Sequence, residues 1–146
     1  MPTAPKLIAG ILLSLTAVLV AYMYTFGFPN QTFKKEYYML AAGVGFLVGW
    51  YTLGQKPFFG GKDSVVAGIR ANIIMALVAA FSFALVSVWN GMGEHDFNNP
   101  FQVPITLITR SIAYFTAGLT VKICSIVLLT GALSGRLTGL ANLHWR

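Results

Sequence analysis

Residues 7–26 read LIAGILLSLTAVLVAYMYTF, a stretch that carries no charged side chain. A hydrocarbon core of about 30 Å needs about 20 helical residues to cross it, and this segment lacks the polar stripe of a soluble helix. Uncharged stretches also occupy residues 37–53 and 71–88, and a shorter one at 123–135 is flanked by Lys122 and Arg136. The pattern predicts a chain whose helices are surrounded by lipid.

The composition supports the same class of protein. Charged residues make up 10% of the chain, against about 25% in an ordinary soluble domain, and the apolar set makes up 56%. The net charge of +6 is explained by basic residues that flank membrane helices and meet anionic headgroups. We therefore expect the lipid bilayer as the first partner of the chain, and no nucleic acid. The single cysteine, Cys124, excludes an intrachain disulfide.

The predicted fold is an all-α membrane protein, a four-transmembrane-helix bundle with an additional interfacial amphipathic helix before the last span. The whole chain, 1–146, is predicted to form a single integral membrane domain. The predicted spans are 6–26, 37–53, 65–89 and 122–141. The first is predicted to stay uncleaved, because its apolar run exceeds the roughly 7–15 residues of a signal peptide.

The segment 104–120 has two interpretations. Apolar residues recur in it at spacings of three and four, which is typical of an amphipathic helix lying at the membrane interface. These residues are Ile105, Ile108, Ile112, Phe115 and Leu119. Alternatively, the segment belongs to a long last helix whose crossing runs from Ile112 to Gly131. That register is less favoured, since Lys122 near the middle of the bilayer would cost about 2.5–3.5 kcal/mol.

The distribution of Lys and Arg predicts the orientation. In the four-span arrangement six basic residues lie on the side of the termini and four on the other side, which favours cytoplasmic termini. The six are Lys6, Lys56, Lys62, Arg70, Arg136 and Arg146, and the four are Lys34, Lys35, Arg110 and Lys122.

Two rows of small residues are candidate helix-packing sites. Small residues spaced by four let helix backbones approach closely, which is the usual source of attraction between helices in lipid. The second span provides Ala41, Gly45 and Gly49, and the last provides Gly131, Gly135 and Gly139. We expect these rows to pack within the bundle, although one of them facing another protein stays open.

Four basic residues are candidate contacts for lipid headgroups or for an anion: Arg70, Arg110, Lys122 and Arg136. For Arg70 the favoured interpretation is an anchor whose long side chain reaches back to the headgroups. Asn72, two residues further along, is interpreted as a hydrogen-bonding contact between helices.

The sequence offers little for catalysis. All four carboxylates, Glu36, Asp63, Glu94 and Asp96, fall in loops or at helix ends, which argues against proton-coupled transport. We therefore predict a protein that is not an enzyme, with no catalytic, cofactor-binding or metal-binding residues.

The layout resembles the TrgA family, small integral membrane proteins of alphaproteobacteria named for their association with tellurite resistance. The resemblance rests on the opening residues 1–7 (MPTAPKL), the Gly49-Trp50 pair, the glycine-rich last span and the Trp145-Arg146 ending. It implies a bacterial inner (cytoplasmic) membrane location and a link to tolerance of an oxyanion. It transfers no site residues, and the basic Arg110 and Lys122 before the last span depart from the family pattern.

Three hypotheses follow for the function. The first is a non-enzymatic inner-membrane protein of the TrgA type, associated with tellurite or envelope stress tolerance, which acts through association with other membrane protein subunits. The second is an accessory structural subunit of a larger photosynthetic or respiratory membrane complex. The third is a small oxyanion channel or exporter that uses the four basic residues.

Overall fold

A computed structural model describes residues 4–27, 35–54, 62–93 and 102–144. These residues form five α-helices and one π-helical turn: α1 (Ala4–Gly27), α2 (Lys35–Val48), the π-helical turn (Gly49–Leu53), α3 (Lys62–Gly93), α4 (Gln102–Gly118) and α5 (Val121–His144). Several residues used above lie outside the described part, among them residues 1–3, the acidic pair Glu94 and Asp96, and Trp145-Arg146.

The chain is an all-helical, multi-pass membrane protein. Three helical segments are long and apolar enough to cross a membrane: Ala4–Tyr24, Lys62–Asn90 and Val121–Asn142. The second predicted span differs from expectation, because α2 ends after 14 residues and continues directly into the π-helical turn. Together they are about 28 Å long, close to the thickness of a hydrocarbon core.

The π-helical turn packs on α1. Gly49 and Leu53 are both buried, and Gly49 lies against Ala9 of α1. The Gly54 amide donates to the Gly49 carbonyl, five residues earlier, at 3.0 Å, which is the hydrogen-bond pattern of a π-helix.

Helix α1 packs antiparallel against α2. Its buried residues recur every fourth position as Ala9, Leu13, Ala17 and Ala21, which forms a narrow ridge of small side chains around one leucine. Gly45 lies opposite Leu13, Gly49 opposite Ala9, and Gly54 opposite Lys6. This register places Lys6 and Gly54 at the same end of the bundle.

Helices α4 and α5 lie end to end along α3, antiparallel to it. At one end the Ser64 hydroxyl of α3 donates to the Gly135 carbonyl of α5 at 3.0 Å. At the other end Arg110 of α4 donates to Ser87 of α3. The two-residue break at Leu119 and Thr120 separates α4 from α5. A helix, α4, covers most of the predicted segment 104–120 and contacts α3. Its position at a membrane interface stays a prediction.

Aromatic rings from four helices lie at one level of the bundle. They belong to Tyr24 (α1), Tyr37 (α2), Phe83 (α3) and Tyr114 (α4), and we call them the aromatic cluster. Ring centroids are 5.5 Å apart for Tyr37 and Phe83, and 6.5 Å apart both for Phe83 and Tyr114 and for Tyr24 and Tyr114. Tyrosine is enriched where a membrane meets water, so we take this level as one boundary of the hydrocarbon region.

The opposite boundary follows from helix geometry. Ser64 precedes Phe83 by 19 positions on α3, a distance of about 29 Å along the axis. The neighbouring charged residues Lys62 and Asp63 are exposed. This separation matches a hydrocarbon core of about 30 Å. Beyond Phe83, α3 continues for ten more residues to Gly93, about 15 Å past the aromatic cluster.

Candidate helix-packing and ligand sites

Gly45 and Gly49 lie directly against the backbone of α1. A Cβ atom added to Gly45 would be 2.6 Å from the Leu13 carbonyl oxygen, and one added to Gly49 would be 2.5 Å from the Ala9 carbonyl oxygen. Any larger residue would force the two helices apart. Ala41, the first residue of this predicted row, is also buried. The row meets α1 along its length.

The second row meets α3. A Cβ added to Gly135 would collide with the Ser64 carbonyl oxygen, and one added to Gly131 would be 3.0 Å from the Ile69 Cα atom. Gly139 is buried one turn further along α5. In each predicted row, two glycines therefore pack on another helix of the same chain: Gly45 and Gly49 on α1, and Gly131 and Gly135 on α3.

Gly68 is the partner that sequence reasoning missed. An added Cβ there would collide with the Gly131 carbonyl oxygen and would lie 2.7 Å from the Gly135 Cα atom. Ser64 and Gly68 are also small residues four positions apart, so the sequence did carry a signal for this packing face.

Asn72 is a hydrogen-bonding contact between helices, as the sequence interpretation expected. It is fully buried on α3, and its side-chain amide donates to the Val127 carbonyl at 2.8 Å and to the Thr130 hydroxyl at 3.1 Å. Both acceptors belong to α5. Among the described residues, the Asn72 carbonyl oxygen and the Thr138 hydroxyl are buried without a partner.

The four candidate basic residues are spread over the bundle. Arg70, Lys122 and Arg136 are exposed, whereas Arg110 is half-buried and donates from Nη1 to the Ser87 carbonyl at 2.9 Å and hydroxyl at 2.6 Å. Arg70 lies two positions from Gly68, about 200° around α3, so it points away from α5. Lys122 lies nine positions from Gly131, about 180° around α5, and points away from α3.

Arg70 and Lys122 lie near opposite ends of the contact between α3 and α5. Arg70 is six residues from Ser64, and the register of α5 on α3 puts Lys122 about six residues from the level of Phe83. Each residue is therefore about 9 Å along the axis from that level. Side chains tilt toward the N-terminus of their helix, which for both residues is the direction of the nearer end. Their long side chains suit contact with lipid headgroups at these ends.

A cavity of about 380 Å³ lies between α1, α3 and the junction of α4 with α5. Ala41 of α2 completes its wall. Its lining is almost entirely apolar, with small residues such as Ala21, Ala80 and Gly118, and it includes the thiol of Cys124. Tyr24 and Tyr114 of the aromatic cluster line its polar end. Sequence reasoning missed this cavity, because its walls come from separate helices.

Within the described ranges, no three His, Cys, Asp or Glu side chains come together as metal ligands. The described part of the chain does show close helix contacts, basic residues that can meet lipid headgroups, and an apolar cavity.

These features define an all-helical, multi-pass membrane protein with small-residue helix contacts. No protein-family model matches the chain, and neither a curated protein nor a solved structure matches it. The resemblance to the TrgA family stays a prediction from the sequence.

Proposed function

We propose that this protein is a non-enzymatic component of the bacterial inner membrane that acts by associating with another membrane protein. In line with the TrgA resemblance, we propose that this association supports tolerance of tellurite or of envelope stress. The observation that carries the proposal is that Trp89 of α3 and Ile105 and Ile108 of α4 are exposed apolar side chains. They lie beyond the level of the aromatic cluster, which we take as the edge of the hydrocarbon region.

The proposed arrangement has four membrane crossings and cytoplasmic termini. The crossings are α1, α2 with its π-helical turn, α3, and a fourth formed by the last two turns of α4 together with α5. The level of the aromatic cluster supports this fourth crossing, because Tyr114 of α4 belongs to the cluster and Gly135 of α5 lies beside Ser64. The register thus favours a crossing that begins near Ile112 over one that begins at Lys122.

The remainder of α4 and the end of α3 form a hairpin that projects from the membrane. Trp89 is 76% exposed, Ile105 is 67% exposed and Ile108 is 59% exposed. The bond between Arg110 and Ser87 places all three beyond the aromatic cluster, by roughly 9 Å or more along the axis. The headgroup layer adds only about 5–7 Å on each side of the core.

Apolar side chains gathered outside the hydrocarbon are typical of a protein-binding surface. We call Trp89, Ile105 and Ile108 the hairpin surface. With cytoplasmic termini it faces the periplasm, so the proposed partner is a membrane protein with a periplasmic surface or segment.

Purification from native membranes in mild detergent tests the association. We expect a partner to co-purify with the wild-type chain and to be lost from a variant carrying Trp89→Ser and Ile105→Ser. Gln102→Ser, an exposed polar position on the same hairpin, is the matched control and should retain the partner. A wild-type protein that elutes as a lone monomer would contradict the proposal.

Tellurite tolerance tests the biological link. We expect a strain lacking the gene to grow less well on tellurite, and to be rescued by the wild type and by Gln102→Ser. The Trp89→Ser and Ile105→Ser variant should fail to rescue despite normal membrane levels. Unchanged tolerance after deletion would remove the tellurite link while leaving the association open to the purification test.

The hairpin surface also favours a second candidate, an accessory subunit of a larger photosynthetic or respiratory complex. The two candidates differ in the partner. Stoichiometric co-purification with pigment-binding or electron-transfer subunits would support the accessory role, whereas a partner outside those complexes would support the first proposal.

An oxyanion channel has less support from the geometry. Arg70 and Lys122 point away from the α3–α5 contact, and Arg110 already contacts Ser87. The candidate basic residues therefore do not line a common path.

A further inference from the structure

The cavity between α1, α3 and the α4–α5 junction has a definite depth in the membrane. Its lining residues on α3 extend from Ile73 to Phe83, so it reaches from the middle of the bundle to the aromatic cluster, a depth of about 15 Å. Met75 and Val127 line the part of the cavity nearer the middle of the bundle, and Tyr24 and Tyr114 line the part at the aromatic cluster. An elongated molecule with an apolar body and a polar end fits this layout.

The volume limits the size of that molecule. An apolar cavity of about 150 Å³ in another protein stays dry and binds benzene, which has six carbon atoms. By that measure 380 Å³ accommodates roughly fifteen carbon atoms. Such a cavity is also expected to exclude water, because almost no polar group lines it. The surrounding bilayer supplies hydrocarbon chains of this size.

The polar end has a basic residue beside it. Arg110 precedes Tyr114 by four positions on α4, so the two side chains share one helix face at the level where headgroups begin. One nitrogen of Arg110, Nη1, bonds to Ser87. The guanidinium carries five N–H donors, and its planar shape suits carboxylate and phosphate oxygens. This location favours an anionic head over a neutral one.

We propose that the cavity binds the hydrocarbon chain of a single fatty acyl group, with an anionic head held at Arg110 and Tyr114. The head is the carboxylate of a free fatty acid or the phosphate of a phospholipid. The chain enters the space bordered by Ala21, Ala80, Gly118 and Cys124. This site is separate from the hairpin surface, so its test does not depend on the proposed association.

Cys124 provides a direct measurement, because it is the single cysteine of the sequence and it lines the cavity. The experiment measures the rate at which a maleimide alkylates Cys124 in purified, delipidated protein, with and without tetradecanoic acid. When the concentration of tetradecanoic acid is ten times its Kd, about one cavity in ten is empty. We therefore expect alkylation of Cys124 to be roughly tenfold slower.

Two glycines make a matched pair for this test. Added Cβ atoms at Gly118 and at Gly43 each meet nothing within 4 Å, so both positions accept a larger residue without collision. Gly118 lines the cavity, whereas Gly43 is an exposed position on α2. We expect Gly118→Leu to abolish protection of Cys124 by tetradecanoic acid and Gly43→Leu to preserve it.

The head is tested with Arg110→Gln. We expect the Kd for tetradecanoic acid, measured by protection of Cys124, to rise roughly tenfold in this variant. Tetradecanol should protect wild-type Cys124 more weakly than the acid does, and the variant should leave that protection unchanged. Mass spectrometry of lipid that co-purifies with undelipidated protein separates the two sources, as free fatty acid or as phospholipid.

Three outcomes would overturn the proposal. One is equal Cys124 alkylation with and without the fatty acid, and another is equal protection in wild type and Gly118→Leu. The third is equal protection of Cys124 by tetradecanol and by tetradecanoic acid, which would show that the site does not recognise an anionic head.

Discussion

Helix α3 makes two contacts of opposite character along its length. Against α5 it packs backbone to backbone, with Gly68 facing Gly131 and Gly135 and with Asn72 bonded across the contact. Against α4 no residue of the partner helix is buried, and a cavity lies where α4 meets α5. We call the α3–α5 contact the tight half, and its close packing stabilises the bundle in lipid. We call the α3–α4 contact the loose half, and it borders the cavity.

Glycine occurs in both the tight half and the loose half. Gly68 is required because no space exists for a Cβ atom, whereas a Cβ at Gly118 would meet nothing within 4 Å. A glycine in a membrane helix therefore indicates a close contact only where another backbone lies opposite it. The predictions below test this contrast from the largest expected effect to the smallest.

Gly68→Leu should have the largest effect. Its side chain would occupy the position of the Gly131 carbonyl, so α3 and α5 must separate and lose the hydrogen bonds of Ser64 and Asn72. We expect a loss of roughly 3 kcal/mol or more in the free energy of unfolding. Denaturant titration in mixed micelles measures it. Gly43→Leu is the control, and equal stability of the two variants would contradict the close contact.

Asn72→Leu should lower the free energy of unfolding by about 0.6 kcal/mol and by no more than about 1.7 kcal/mol, the average and the maximum found for hydrogen bonds between membrane helices. The variant loses the bonds to Val127 and Thr130, while leucine keeps the branched shape of the side chain. The same titration applies. Ser82→Ala is the control, because that exposed hydroxyl bonds only to Val78 of its own helix. An unchanged free energy of unfolding for Asn72→Leu would show that the two hydrogen bonds contribute little to stability.

Gly118→Leu should stabilise delipidated protein, in contrast to the substitution at Gly68. The new side chain fills part of the cavity and restores dispersion contacts, an effect typically worth about 0.5–1 kcal/mol. Thermal unfolding of matched detergent samples measures it. A destabilisation of similar size would mean that α4 and α5 are tightly packed at their junction, contrary to the comparison above.

Arg110→Gln should have the smallest effect on global stability, about 0.5 kcal/mol or less, because the side chain is partly exposed to solvent. The loss of its bonds to Ser87 should instead free α4 locally. Hydrogen exchange should rise in residues 102–113 while the α3–α5 contact stays protected. Increased hydrogen exchange in both regions would show that α4 and the α3–α5 contact open together.

The sequence predicted the local features because they depend on neighbours along the chain. Uncharged runs indicated the helices, and the spacing of Gly45 and Gly49 indicated a packing face. Tertiary structure was needed to pair that face with Ala9 and Leu13 of α1. Nothing local distinguishes a glycine facing a backbone from one facing open space, so Gly68 and Gly118 look alike in the sequence.

Hydropathy and charge by themselves indicated apolar helices in a membrane, since a helix satisfies its own backbone hydrogen bonds where lipid offers no partner. Only the tertiary structure decided the register of α4 and α5 along α3 and the cavity at their junction. Those features arise from residues distant in sequence whose contact depends on how whole helices align. A one-dimensional pattern does not carry that alignment.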